Sequence, residues 1–330
     1  MWIEFVISAI VVIAAGFKLT IYGDEISEKS NISGGLIGFF LLALATSLPE
    51  LITSLSAVIR QNAPEMSLGN IFGSNLFNLA ILFMLDLFSK KSVFKFSTRE
   101  DLKSISFIFM ISLLAITPMM ISNFMGIKIF EGFRINVESL LILGFYLFIL
   151  KNFRDEPDVQ EKLPVESKNK EKLATVYVKF AVAALFIVVA GIFLTESVDN
   201  IAEKYSIGKT FAGSLMLAFV TSLPEASVSL SAVRIGAVEM AIGNILGSNV
   251  FNVFIIFFAD LATSKQILYL KEVANSSATG MFSLLMLSVA FMGFLFKSGK
   301  SKIFGYKLSF YSFFILILYF AGMYITYLVK

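Results

Sequence analysis

The sequence predicts an all-α polytopic membrane protein, with ten transmembrane helices arranged as two inverted five-helix repeats. Three observations carry that reading. Of 330 residues, 57% are hydrophobic and only 15% charged, and the apolar residues fall in runs of roughly 20, the length that crosses a bilayer as a helix. Two polar motifs set inside those runs each occur twice, in the same order, at offsets of 175 and 174 residues. Lysine and arginine gather in alternate loops, as orientation in a bilayer requires.

The runs mark spans near residues 3–22, 32–60, 66–88, 104–122, 135–151, 176–195, 206–234, 240–262, 279–297 and 306–329. The second and seventh are longer than a bilayer needs, which predicts helices broken at the middle or strongly tilted. Duplication extends past the motifs, because Leu19-Thr20, Asp24 and Glu28-Lys29 align with Leu194-Thr195, Asp199 and Glu203-Lys204. Each half therefore holds five spans. Five is odd, so the second half enters the membrane from the opposite side and the two units are inverted. Residues 1–151 form the first repeat, 152–175 a cytoplasmic linker and 176–330 the second repeat. The linker mixes Asp155, Glu156, Asp158, Glu161 and Glu166 with lysines; it reads as a solvated connection too short for a folded domain.

Loops after the odd-numbered spans hold most of the 27 basic residues, among them Lys90, Lys91, Lys95, Arg99, Lys103, Lys151, Arg154, Lys297, Lys300, Lys302 and Lys307. That side is assigned to the cytoplasm, which makes the chain a multi-pass protein of the cell membrane with both termini extracytoplasmic. Met1-Trp2-Ile3-Glu4 carries no basic n-region, and the run that follows lacks a cleavage pattern, so the first span is expected to stay as a helix. Cysteine and histidine are both absent. Their absence excludes disulfides, catalytic thiols, haem ligation through histidine and a His-Glu-x-x-His protease site. With no serine beside a plausible base, an enzyme is not expected. A net charge of +3 gives no support for nucleic-acid binding.

The chain turns on Ala43-Leu44-Ala45-Thr46-Ser47-Leu48-Pro49-Glu50 and its second copy, Ala218-Phe219-Val220-Thr221-Ser222-Leu223-Pro224-Glu225. A carboxylate at membrane depth costs on the order of a few kcal/mol, so it faces the bundle interior, a partner or an ion. Pro49 and Pro224 remove a helical donor and leave the carbonyls of Ala45 and Val220 in need of a partner. Thr46 and Thr221 precede the glutamates by four residues, Ser47 and Ser222 by three, so in helical geometry they share the glutamate face. Hydroxyl, carbonyl and carboxylate oxygens together suit Ca2+ or an alkali cation.

Each copy is followed by a second motif, Gly69-Asn70-Ile71-Phe72-Gly73-Ser74-Asn75-Leu76-Phe77-Asn78 and Gly243-Asn244-Ile245-Leu246-Gly247-Ser248-Asn249-Val250-Phe251-Asn252. Asn70, Ser74 and Asn78, like Asn244, Ser248 and Asn252, make a polar stripe on one helical face, expected to turn toward a broken span. Asn75 and Asn249 fall off the stripe and should bond backbone at a helix contact. The paired glycines should allow close helix approach. Asp86, Asp260, Glu65, Glu239 and Glu138, near the ends of their spans, are read as interfacial.

At these residues the chain resembles the cation/Ca2+ exchanger superfamily, most closely its Na+/Ca2+ exchanger branch of prokaryotic type. The resemblance implies a secondary active antiporter in which Ca2+ is held by Glu50 and Glu225 with oxygens of Thr46 and Thr221. Flanking Na+ sites would use the carbonyls of Ala43 and Ala218, the hydroxyls of Ser47, Ser222, Ser74 and Ser248, and the same glutamates. Asn78 and Asn252 would close the site at its middle. Ala45 and Val220 depart from the usual glycine before Thr-Ser. Neutral Asn252 argues against K+ co-transport, since K+-dependent relatives tend to carry Asp there, and the Gly-Asn-x-x-Glu signature of the H+/Ca2+ branch is missing. H+/Ca2+ exchange, K+-dependent exchange and a passive cation channel stay open as alternatives. The expected partners are Ca2+, Na+ and the bilayer, with no cofactor and no obligate protein partner.

Overall fold

Apolar segments without water to solvate them must satisfy their backbone internally, and this chain does so as helix almost throughout. The computed structural model describes residues 1–128, 135–154, 171–205, 212–263, 266–270, 274–303 and 305–328. The first half runs α1 (Trp2–Ser30), α2 (Gly34–Leu36), a π-helical turn (Ile37–Leu42), α3 (Ala43–Thr46), α4 (Leu48–Ile59), α5 (Pro64–Phe88), α6 (Arg99–Met125) and α7 (Val137–Arg154). The second half runs α8 (Leu173–Lys204), α9 (Ala212–Thr221), α10 (Leu223–Ile235), α11 (Val238–Leu261), α12 (Ala274–Leu295) and α13 (Phe310–Leu328).

The predicted breaks are present, at Ser47 in the second span and Ser222 in the seventh, of which residues 206–211 lie outside the described residues. Among the described residues, 8 helices are long and apolar enough to cross a membrane. Helix occupies the other two expected positions as well, α7, whose 18 residues include Glu138, Lys151 and Arg154, and the pair α9 and α10, described only from Ala212 onward. Most of the expected linker also falls outside the described residues, between the end of α7 and the start of α8.

The bundle is apolar outside and polar at its centre. Helix α11 is 89% and α5 72% buried over their most apolar stretch, against 33% for α1 and 17% for α13. The outer helices expose Ile3, Leu185, Phe186 and Phe320, the surface that lipid would cover. Asn75 and Asn249 bond backbone at the crossing of α5 and α11, as expected: Asn75 Nδ2 donates to the Asn249 carbonyl at 3.4 Å and Asn249 Nδ2 to that of Ile245 at 2.7 Å. Helix α11 also lies backbone to backbone on the first broken span. A Cβ on Gly247 would stand 2.1 Å from the Phe39 carbonyl oxygen, and one on Gly243 2.2 Å from that of Gly35.

The interfacial reading of Asp86 and Asp260 is corrected here, because both are fully buried. Asp86 accepts from the amides of Val93 (3.1 Å) and Ser309 (2.7 Å) and from Ser312 Oγ (2.8 Å). Asp260 accepts from the amide and side chain of Asn136 (both 2.6 Å) and from the Ile267 amide at 3.4 Å. Each aspartate thus pins the short 3-10 turn that follows it and the start of the last helix of the opposite half, α13 for Asp86 and α7 for Asp260. Such exchange of partners is what a two-fold relation between repeats produces. Glu138 stands at a helix end as expected, yet it too is buried, taking a hydrogen bond from the Tyr269 hydroxyl.

Removing either aspartate orphans several buried donors, each worth about 1.5–3 kcal/mol when its acceptor is charged. Asp86→Ala and Asp260→Ala should each lower stability by about 3 kcal/mol or more, with Asp→Asn losing less. Thermal unfolding of the purified variants checks this, and wild-type melting of both alanine variants would refute the pinning role.

A further departure from the expected layout is the antiparallel hairpin Lys300–Ile303 with Tyr306–Ser309, in a region read as loop and the start of the last span. Gly305 at φ 86° makes its turn, and α13 begins only at Phe310.

Candidate functional site

Proline dictates the local geometry. Pro49 and Pro224 occupy the first turns of α4 and α10, where a helix needs no amide donor. The preceding residues take up matching backbone conformations, φ −92° and ψ 5° at Ser47, φ −88° and ψ 7° at Ser222. One helix therefore ends at Thr46 or Thr221 and another begins two residues later, at Leu48 or Leu223. Glu50 and Glu225 consequently sit in a first helical turn, where the positive end of the helix dipole favours a carboxylate.

The two breaks meet. Ser47 Oγ donates to Glu225 Oε1 at 2.8 Å, and Ser222 Oγ lies 3.5 Å from Glu50 Oε1. Thr46 Oγ1 stands 3.3 Å from Asn244 Oδ1 and 3.4 Å from Ser248 Oγ; Thr221 Oγ1 stands 3.3 Å from both Asn70 Oδ1 and Ser74 Oγ. The polar stripes of α5 and α11 thus face the broken span of the opposite repeat. Glu50, Glu225, Ser47, Ser222, Thr46, Ser74, Ser248, Asn78 and Asn252 are all fully buried, and Thr221, Ala43 and Ala218 nearly so. The carbonyls of Ala43 and Ala218 already accept twice, from the amide of Ser47 or Ser222 and from the hydroxyl of Thr46 or Thr221.

Symmetry is incomplete at the carboxylates. Glu225 Oε1 receives a second hydroxyl, Ser248 Oγ at 3.4 Å, whereas among the described residues the hydrogen bond to Glu50 is the long one from Ser222. Glu50 Oε2, Glu225 Oε2 and both amide atoms of Asn78 and of Asn252 are buried without a hydrogen-bond partner. Buried polar atoms are ordinarily satisfied, so the four oxygens in this set are free to take a cation, whereas the two amide nitrogens are donors that a cation would not meet. Among the described residues no three acidic side chains gather. The centre offers two carboxylates with neutral oxygens, a donor set for a hard cation.

Sequence reasoning missed Ser54 and Ser229. Asn70 Nδ2 donates to Ser54 Oγ at 3.2 Å and Asn244 Nδ2 to Ser229 Oγ at 2.9 Å, which aims each Asn oxygen at a site threonine. A signal existed: each serine follows its glutamate by four residues, and in both copies.

Comparison with known proteins agrees with this architecture. The sequence profile described as sodium/calcium exchanger protein matches residues 1–152 and 175–329, one match in each half. The inner membrane protein YrbG of Escherichia coli is 23% identical over 266 residues, 76% of either chain. The sodium/calcium exchanger MaX1 of Methanosarcina acetivorans is 25% identical over 265 residues, 71% of this chain and 74% of that one. Among solved structures, the sodium-calcium exchanger NCX_Mj soaked with Na+ and Ca2+ superposes with a TM-score of 0.72 at 20% identity, covering 97% of this chain and 96% of its own. The apolar helices and the family match in both halves define a multi-pass membrane transporter rather than an enzyme. The chain belongs to the sodium/calcium exchanger family.

Proposed function

We propose that the protein is a secondary active antiporter that exchanges Ca2+ for Na+ by alternating access at the two-glutamate centre. The observation that carries this reading is the set of buried, unpartnered oxygens on Glu50, Glu225, Asn78 and Asn252. Ca2+ binds between Glu50 and Glu225 with the oxygens of Thr46 and Thr221. Na+ uses the same carboxylates with Ser47, Ser222, Ser74, Ser248 and the carbonyls of Ala43 and Ala218, displacing the threonine hydroxyls that now bond those carbonyls. Because both ions need the same two charges, one leaves as the other enters, and coupling needs neither a separate device nor a resident cofactor. Helices α1 and α8, which pack chiefly on each other and carry none of the site residues, move around the fixed core. Residues 1–151 and 176–330 act as the two inverted units, with the linker cytoplasmic and both termini outside.

Proteoliposome uptake of radioactive calcium, driven in turn by outward Na+, K+ and H+ gradients, tests the proposal. Uptake should follow Na+ alone. Equal flux without Na+ on either side would make the protein a passive cation channel, and uptake driven by protons would move it to H+/Ca2+ exchange. Asn252→Asp would add a third carboxylate to the centre, and this variant should acquire K+ dependence. Unchanged Na+-driven uptake that ignores added K+ would remove Asn252 as a selectivity determinant.

A further inference from the structure

Lys18 places a cation in the middle of α1, on an exposed face, and among the described residues it forms no ion pair or hydrogen bond. An ionisable side chain inside a span usually has a partner or a purpose. Beside it a cleft of about 440 Å³ runs between α1 and α8, within the roughly 300–1,000 Å³ usual for small-molecule sites. The two helices are antiparallel, with Trp2 near Tyr205 at one end and Lys29 bonded to the Glu171 carbonyl at the other. By that register Tyr22 and Lys179 line one end of the cleft and Val11 the other, with Lys18 one helical turn from Tyr22 and level with Phe186. Lys179 is held by both Glu171 oxygens, at 2.7 and 2.6 Å, and stands 6.0 Å from the centre of the Tyr22 ring. One ammonium is thus anchored and the other unmatched.

The duplication supplies an internal control. At the offset that relates Glu50 to Glu225, Lys18 corresponds to Phe193, and Lys179 to Glu4. The equivalent place at the other end of the helix pair has neither cation, so the lysines belong to one membrane face and not to the duplicated transport framework.

We propose that this cleft binds an anionic phospholipid, with its phosphate between Lys18 and Lys179 and an acyl chain along Val11, Ala15, Val182 and Phe186. Charge complementarity selects the headgroup and the apolar wall holds the tail. The site is separate from the cation centre, and its test does not involve transport.

Full-length protein, delipidated in neutral detergent, is titrated with dioleoyl phosphatidylglycerol or dioleoyl phosphatidylcholine and followed by native mass spectrometry and thermal unfolding. Phosphatidylglycerol should be retained and should raise Tm more than phosphatidylcholine does. Lys18→Gln should weaken phosphatidylglycerol binding about fivefold, the effect of one lysine at an anionic surface, and leave phosphatidylcholine unaffected; Lys18→Arg should restore it. Equal protection of the wild type by both lipids would overturn the proposal without recourse to any variant. So would a phosphatidylglycerol preference that survives in Lys18→Gln, or the same protection from inorganic phosphate alone.

Discussion

Glu50→Gln and Glu225→Gln are each expected to abolish Na+-driven Ca2+ uptake while leaving the protein folded. Either change removes one of two charges that a divalent ion needs and keeps the shape of the side chain. Losing one partner of a buried, hydrogen-bonded charge pair costs about 2–5 kcal/mol, which at 1.4 kcal/mol per decade is roughly 30- to several-thousand-fold in Ca2+ affinity. Stability should respond differently at the two positions. Among the described residues Glu225 Oε1 is met by Ser47 at 2.8 Å and by Ser248, and Glu50 Oε1 by Ser222 at the longer 3.5 Å. Neutralising a poorly satisfied buried charge relieves desolvation, so Glu50→Gln should melt at or above the wild-type temperature without Ca2+, and Glu225→Gln should gain less. Calcium should then raise the Tm of the wild type and of neither variant. Full flux through either variant would remove the carboxylates from the ion's path; a fold that collapses in Glu50→Gln would make that residue structural.

The centre was legible because it is written twice. Thr-Ser-Leu-Pro-Glu and the stripe Asn-x-x-x-Ser-x-x-x-Asn depart from an apolar background in the same order in both halves. The structure brings the two copies together, Ser47 reaching Glu225 and Ser222 reaching Glu50, while the cation-binding role of these residues is what we propose. What escaped lies where membrane periodicity is silent. Asp86 and Asp260 stand at span ends, where charge normally meets water, and nothing in the apolar pattern says that the turns Val93–Phe96 and Ile267–Tyr269 fold back over them. The hairpin before α13 is a short polar pairing that hydropathy reads as loop. The π-helical turn Ile37–Leu42 is six apolar residues whose deviation is set by contact with α11 through Gly38, not by composition: a Cβ on Gly38 would meet the Met240 carbonyl oxygen at 2.2 Å. Tertiary approach decides such features, and sequence shows only the glycines that permit it.

Gly247→Ala should be among the most damaging substitutions outside the carboxylates, although it adds a single methyl group. The new Cβ would stand 2.1 Å from the Phe39 carbonyl oxygen and 2.7 Å from Ala43 Cβ, so the first broken span must move as a whole. Overpacking a well-filled contact costs about 1–3 kcal/mol where side chains can yield, and backbone cannot rotate away. A loss of about 3 kcal/mol is expected, together with weaker Ca2+ binding, because Ala43 is one turn from Ser47 and Thr46 on the displaced segment. Gly73→Ala supplies the comparison, since among the described residues its Cβ would meet a side-chain methyl, Ala218 Cβ at 2.8 Å, and no backbone, and a smaller loss should result. Gly144→Ala completes the series: among the described residues nothing beyond its own turn of helix lies within 4 Å of a Cβ there, and replacing glycine by alanine inside α7 should stabilise by up to about 1 kcal/mol. Melting temperatures of the three variants should therefore rank Gly144→Ala above Gly73→Ala above Gly247→Ala, with Ca2+ affinity impaired most in the last. If Gly247→Ala melts and binds like the wild type, close contact between α11 and the first broken span does not set the geometry of the centre, and the oxygens around Glu50 and Glu225 are positioned by α4 and α10 alone.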